Sequence, residues 1–303
     1  MELRDLVYFE TIAALGHLGK AAEKLNRSQP ALTKSIQRLE ESLGARLFER
    51  AGRRIKLTPV GEVLKVRGKQ LQQSIAETQR EVRDFASGVM GNIRLGCAAS
   101  MADNLLPHLT GALLSRAPEV TLNLVIGQDD FLREGLLTGR LDMVICPQYE
   151  ADPLLDTHAL FDDEAVVVAS RHHPLFNASY QMRDLCQYRW VLPATTVAAR
   201  RWIDNAFQAR DLPLPRVQIE TTSISLLPRL IGETHLLCFL ARETLEDVKG
   251  VTHLREVALK ETTMKRTIVV FVRMGAYLSP SAQLLLSILK NEGSQFFTGV
   301  QAV

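Results

Sequence analysis

Gln29, Thr33 and Lys34 lie in the stretch RSQPALTKSIQRLE, residues 27–40, just after Ser28 and beside Pro30. An amide, a hydroxyl and an ammonium at this spacing share one side of a helix, and such groups read base edges and contact phosphates. Ser28 suits an N-cap, and Pro30 suits a first turn, where a missing N–H costs nothing. Leu32, Ile36, Leu39 and Leu43 recur at four, three and four residues, which predicts a buried stripe. Pro30, Thr33, Lys34, Gln37 and Arg38 then face away from it. A solvated helix side is the plain alternative. Charge favours a polyanion partner, because residues 20–69 hold thirteen Lys or Arg against five Asp or Glu. That segment carries +8 while the whole chain carries +2, leaving −6 for the remainder.

The elements around this helix follow from local pattern. Leu18, Ala21, Ala22 and Leu25 give a shorter amphipathic helix, and Asn26-Arg27 leaves only a tight turn before the next. Two helices so joined make a helix-turn-helix. In FERAGRRIKLTPVG, Phe48, Ile55 and Leu57 flank a turn at 51–54, which predicts a β-hairpin wing with Arg53 and Arg54 at its tip. Thr58 and Pro59 open a long helix, as N-cap and first residue, with no strong breaker before Gly88 and Gly91. Along it Leu64, Leu71, Ile75, Thr78, Val82, Phe85 and Val89 trace a heptad seam. Such a seam needs a partner helix, so a coiled-coil dimer is expected, with two recognition helices on two half-sites.

The run AAEKLNRSQPALTKSIQRLEESLGARLFERAGRRIKLTPVGE resembles the winged helix-turn-helix of LysR-type transcriptional regulators, matching in order and spacing over residues 3–62. The resemblance implies that Gln29, Pro30, Thr33 and Lys34 face the major groove, while Arg53 and Arg54 serve the wing; Arg27, Ser28, Gln37 and Arg38 are further candidate DNA contacts, the last two touching phosphate or nothing. His17 and Gly19 depart from the family's hydroxyl residues, so the N-cap of the first motif helix is expected to be weak.

After Gly91 short strands alternate with helices, the texture of a parallel sheet covered on both faces. The expected fold is an α/β multidomain chain. It has a winged helix-turn-helix at 1–58, a dimerisation helix at 59–90 and an effector domain at 91–303, similar in the family to type 2 periplasmic binding proteins. Lobe I should span 91–164 and 267–303, and lobe II 165–266. In doubly wound sheets a ligand lies beyond the carboxyl ends of the strands. Ser100, Met101, Gln128, Pro147, Gln148, Thr195, Thr196 and Thr222 stand in those loops and are the candidate effector contacts. Ser100 and Asp103 have capping-box spacing. Hydroxyls near a helix N-terminus suit a carboxylate or sulfonate, so the effector is expected to be a small molecule such as an organic acid. No arginine stands at these loop ends. Arg200 and Arg201 are the nearest counter-charges, which keeps aromatic acids, sugars and amides open.

Other classes fit less well. Cys97, Cys146, Cys186 and Cys238 are far apart, and packing is the expected role, although Cys97 and Cys146 at strand ends could form a redox switch. His235, Cys238 and the His172-His173 pair lack zinc-like spacing, so neither metal nor cofactor is expected. No GxSxG, HExxH or P-loop pattern points to an enzyme. The charged start and the lack of a long apolar run argue for a cytoplasmic protein without membrane contact. The implied partners are double-stranded operator DNA, an effector, further copies as dimer or dimer of dimers, and RNA polymerase if the protein activates. An effector-independent architectural DNA-binder is the alternative, followed by a solute-binding protein.

Overall fold

The computed structural model describes residues 2–51, 54–87, 91–148, 152–195, 197–246 and 253–297. It divides into two compact units, Met1–Arg83 and Asp84–Val303.

The first unit contains α1 (Leu3–Leu15), α2 (Leu18–Lys24), α3 (Gln29–Leu43), β1 (Phe48–Ala51), β2 (Arg54–Leu57) and most of α4 (Pro59–Ser87). Phe9, Ile12, Ala21, Ala22, Leu32, Ile36, Leu39 and Leu47 form its core. The small Ala21 and Ala22 let α2 lie close to its neighbours, and burying the larger side chains stabilises the unit by about 1.5–3 kcal/mol each. Leu43 departs from the expected stripe. It is 42% exposed, because Gly44 ends α3 in a left-handed turn and Leu47 fills the core instead. The wing is an antiparallel hairpin in which Phe48 faces Leu57 and Ala51 faces Arg54. Thr58 caps α4 by accepting from the Gly61 N–H at 3.0 Å. Gly61 is required there, since a Cβ would stand 2.3 Å from the Leu47 carbonyl oxygen. On α4 the seam residues Leu71, Ile75 and Val82 are exposed, whereas Leu64 packs on the unit's core. The side chain of Phe85, and Val89 entirely, lie outside the described residues.

The second unit is built from β3 (Asn92–Ala98), α5 (Ala99–Arg116), β4 (Thr121–Gly127), α6 (Asp129–Leu137), β5 (Met143–Pro147), β6 (Leu155–Ser170), β7 (Arg189–Leu192), α7 (Ala198–Gln208), β8 (Arg216–Glu220), α8 (Leu227–Gly232), β9 (Leu236–Ala241), β10 (Leu254–Glu256), β11 (Met264–Arg273) and α9 (Pro280–Phe297). The strands run in the order β4-β3-β5-β11-β6-β9-β7-β8, with β10 on β6. The sheet is mixed rather than wholly parallel. β3 pairs in parallel with β4 and β5, and β7 with β8 and β9, while β11 and β6 cross antiparallel between these two groups. β6 holds β11 from Leu155 to Ala165 and β9 from Ala165 to Val168, so one long strand serves both lobes. Only its second half carries the buried run Ala165, Val166, Val167, Val168 and Ala169, which is why hydrophobicity marks that half alone. Each lobe keeps its own core. Lobe I gathers residues such as Leu95, Leu109 and Phe271, and lobe II Trp190, Phe207 and Phe239.

Candidate functional site

On α3, Ser28 caps the helix by accepting from the Ala31 N–H at 3.4 Å. Gln29, Pro30, Lys34 and Gln37 are exposed, as are Arg27 and Ser28, opposite the fully buried Leu32 and Leu39. Thr33 is half-buried, its hydroxyl donating to the Gln29 carbonyl at 3.0 Å while its lone pairs stay open. Arg38 is exposed on the same side and has a second role. Its guanidinium donates to Asp5 at 2.5 Å and approaches Glu2 at 4.0 Å, so it ties α3 to α1. Asp5 is 1% exposed and also accepts from Ser35 at 2.6 Å. An uncompensated buried carboxylate would be costly, and Arg38 supplies the charge. Arg53 lies outside the described residues, and Arg54 begins β2.

His17 corrects the expected weak cap. Its Nδ1 accepts from the Gly19 N–H at 3.1 Å and the Lys20 N–H at 3.4 Å, so an imidazole replaces a hydroxyl at the N-cap. Gly19 makes room for it, because a Cβ there would lie 3.1 Å from the ring.

In the second unit a cleft between the lobes is lined by Ser100, Gln128, Pro147, Gln148 and Thr222 among the expected contacts. Met101 is not among them; it is 1% exposed and points into the lobe I core. Thr195 is exposed and does not line the cleft, and Thr196 lies outside the described residues. The capping box of Ser100 with Asp103 does not form. β3 stays paired through Ala98, opposite Gly127, and α5 starts at once with Ala98 as its N-cap and no side-chain cap. Ser100 therefore falls inside the first turn, whose N–H groups no side chain among the described residues caps.

Arg200 is no counter-charge for a ligand either. Its Nε donates to Asp204 at 2.8 Å and its Nη1 to the Pro193 carbonyl at 3.3 Å, fastening the loop before α7. The arginine that lines the cleft is Arg266 on β11. It sits opposite Asp163 of β6 in the strand register and donates to that carboxylate through Nε, at 2.6 Å, and Nη2. Both side chains are buried. Glu243, in the turn of 3-10 helix Arg242–Glu246, faces the same aspartate. Among the described residues no donor reaches the buried Glu243 Oε2 or Asp163 Oδ1, and a hydrogen bond between the two carboxyl groups requires one of them to carry a proton. Burial and this hydrogen bond push the Glu243 carboxyl up to about 7. Arg242 closes the cluster by pairing with Glu256 at 2.8 Å and with Glu164.

Asp129, the first residue of α6, is the other acid in the lining. Burial raises its pKa, Arg266 and Arg201 oppose that rise through space, and Asp130 adds to it. Beside these charges the lining has an apolar part that includes Ala165, Val197, Phe239 and Met264. Local sequence offered no signal for Arg266, Asp163 or Glu243, since strand register and a long loop bring them together.

The cysteines do not suit thiolate chemistry. Burial pushes Cys97 and Cys238 up to about 12 and Cys146 well above the ordinary thiol value. His173 is buried and structural. Its Nδ1 accepts from the Leu175 N–H at 3.1 Å and its Nε2 lies 3.1 Å from the His235 carbonyl, with Tyr188 edge-on.

Comparison with known proteins agrees with this geometry. Residues 3–62 match the family described as bacterial regulatory helix-turn-helix protein, lysR family, and residues 86–294 match the LysR substrate binding domain. The uncharacterized HTH-type transcriptional regulator YybE of Bacillus subtilis is 27% identical over 93% of this chain and 96% of its own length. HTH-type transcriptional regulator CbbR of Xanthobacter flavus is 25% identical over 97% and 89%. The crystal structure of full-length CbnR with its target DNA superposes with a TM-score of 0.63, at 20% identity, over 97% of this chain and all of that one. The chain belongs to the LysR family of DNA-binding transcriptional regulators. Its second unit is the effector-binding part of such a regulator, with the cleft between its lobes.

Proposed function

We propose that two copies of this chain join through α4 and read an interrupted inverted repeat, with Gln29, Pro30, Thr33 and Lys34 of each α3 in a major groove. The observation that carries this reading is the exposed polar face of α3 opposite a fully buried stripe. Leu71, Ile75 and Val82 lie uncovered at heptad-like spacing on α4, which supports a helical partner there. Arg27 and Gln37 flank the contact set and suit phosphates, as does the wing with Arg53 and Arg54. Arg38, half exposed and anchored to Asp5 through one nitrogen, keeps its other donors for a phosphate.

The cleft takes a small organic acid. Uncapped first-turn N–H groups of α5, with Ser100, Gln128 and Thr222 nearby, support that reading. Binding across the lobes favours one closure state, and this state is passed to the DNA-reading heads. The protein acts in the cytoplasm, and no described helix is long and apolar enough to cross a membrane. Its role is binding rather than catalysis, and it touches RNA polymerase where it activates.

Footprinting of the DNA beside the protein's own gene, at two salt concentrations and with or without metabolite extract, tests this. A salt-sensitive footprint over two half-sites that shifts with extract is expected. Gln29→Ala should lose about 1–3 kcal/mol of operator preference with nonspecific binding kept. Unchanged preference would show that α3 is not the reading helix.

A further inference from the structure

The cleft presents an acceptor and a set of donors that no side chain among the described residues matches. Among the described residues Asp129 has no side-chain hydrogen bond, and Arg266 and Arg201 act on it only through space. Arg266 is already engaged by Asp163, so it offers Asp129 only a distant, shared charge. The 18-residue helix α5 enters the same cleft with Ala98, Ala99 and Ser100 in the lining and no side-chain cap on its first turn. One feature calls for a donor and the other for an acceptor.

A plain carboxylate ligand would satisfy α5 but bring a like charge toward Asp129, in a lining where apolar side chains weaken solvent screening. A plain amine would satisfy Asp129 and leave the α5 N–H groups bare. We propose that the effector is a small amino-carboxylic zwitterion, its ammonium group donating to Asp129 and its carboxylate resting on the open first turn of α5. The inference rests on the cleft being the effector site. Ala165, Val197, Phe239 and Met264 would cover an apolar body between the two charged ends. Arg266 and Arg201 serve a second purpose, since they oppose the effect of burial and favour the ionised form of Asp129.

The test divides metabolite extract into three fractions by cation exchange. Acid loading passes plain acids and sugars, and a second, neutral step separates zwitterions from net-cationic amines. Each fraction is added to the full-length protein and its melting temperature is read, for wild type, Asp129→Asn, Asp129→Glu and the exposed neighbour Asp130→Asn. The zwitterion fraction should raise the wild-type and Asp130→Asn melting temperatures. Asp129→Asn should need at least about tenfold more of it, and Asp129→Glu should recover part of the response. Activity confined to the acid or the amine fraction overturns the inference and leaves the effector reading standing. A zwitterion effect that Asp129→Asn keeps in full also overturns it. If no fraction acts on any variant, the effector reading falls together with it.

Discussion

Two buried aspartates, each held by an arginine, behave in opposite ways in the two units. Asp5 accepts from Ser35, from Arg38 and, at 3.2 Å, from the Glu2 N–H. Burial would raise its pKa, but these donors outweigh it and hold the carboxyl below its ordinary value. Asp163 has Arg266 on one oxygen, yet its other oxygen has no donor among the described residues, and its neighbour Glu243 is an acid like itself. The first cluster has as many donors as it needs and works as a clamp between α1 and α3. The second is short of donors among the described residues, which favours the protonated form of Glu243. A satisfied polar cluster fixes one geometry, whereas an under-supplied one responds to its surroundings, and it is the second that stands where β6 and β11 join the lobes.

The strongest way to break this contrast is Arg266→Ala. Removing the cation leaves Asp163 buried without a counter-charge and should cost the effector unit about 3–5 kcal/mol. Both tryptophans, Trp190 and Trp202, lie in that unit, so urea unfolding of the full chain followed by tryptophan emission reports on it. A loss below about 1 kcal/mol would mean that water reaches the pair. Asp5→Ala should cost the first unit less, about 1–3 kcal/mol, through the Ser35 hydroxyl left buried without its acceptor. Hydrogen exchange in α1 and α3 would show it as faster opening.

The acid dependences sharpen the comparison, because their signs differ. Asp5 is depressed in the folded state, so its contribution is present above the ordinary carboxyl value of 3.8 and is lost as pH falls through the folded pKa. Glu243 is raised, so the folded state binds more protons between 4.5 and about 7, and stability declines as pH rises through that window. Glu243→Gln supplies a permanent donor to Asp163. It should abolish that decline and make the effector unit more stable than wild type at pH 8, by on the order of 1 kcal/mol given its partial solvent access. An unchanged pH slope of tryptophan-monitored unfolding would show that the two carboxyl groups share no proton.

Helix α3 was legible because every signal for it is local. Ser28, Pro30 and the spacing of Leu32, Ile36 and Leu39 lie within one short stretch, and capping and periodicity act over a few residues. Even there, Leu43 misled, since the end of a hydrophobic stripe depends on where the chain turns and not on its rhythm. The cleft was legible in part. Gln128, Pro147, Gln148 and Thr222 were reached from the rule that ligands sit beyond strand ends, while Met101 and Thr195 show that a loop position does not fix which way a side chain faces.

By itself, then, the sequence determined the helix-turn-helix, its exposed polar face, the long helix with its apolar seam and the alternation of strands and helices that makes two lobes. Tertiary structure decided the rest. Arg38 became a clamp because α1 brings Asp5 beside it, and Ser100 lost its cap role because β3 stays paired to Ala98. The cluster of Asp163, Glu243 and Arg266 exists because antiparallel pairing sets residues 103 positions apart side by side. Local chemistry writes caps and stripes into neighbouring residues, but the pairing of distant charges depends on strand register, which the whole sheet sets together.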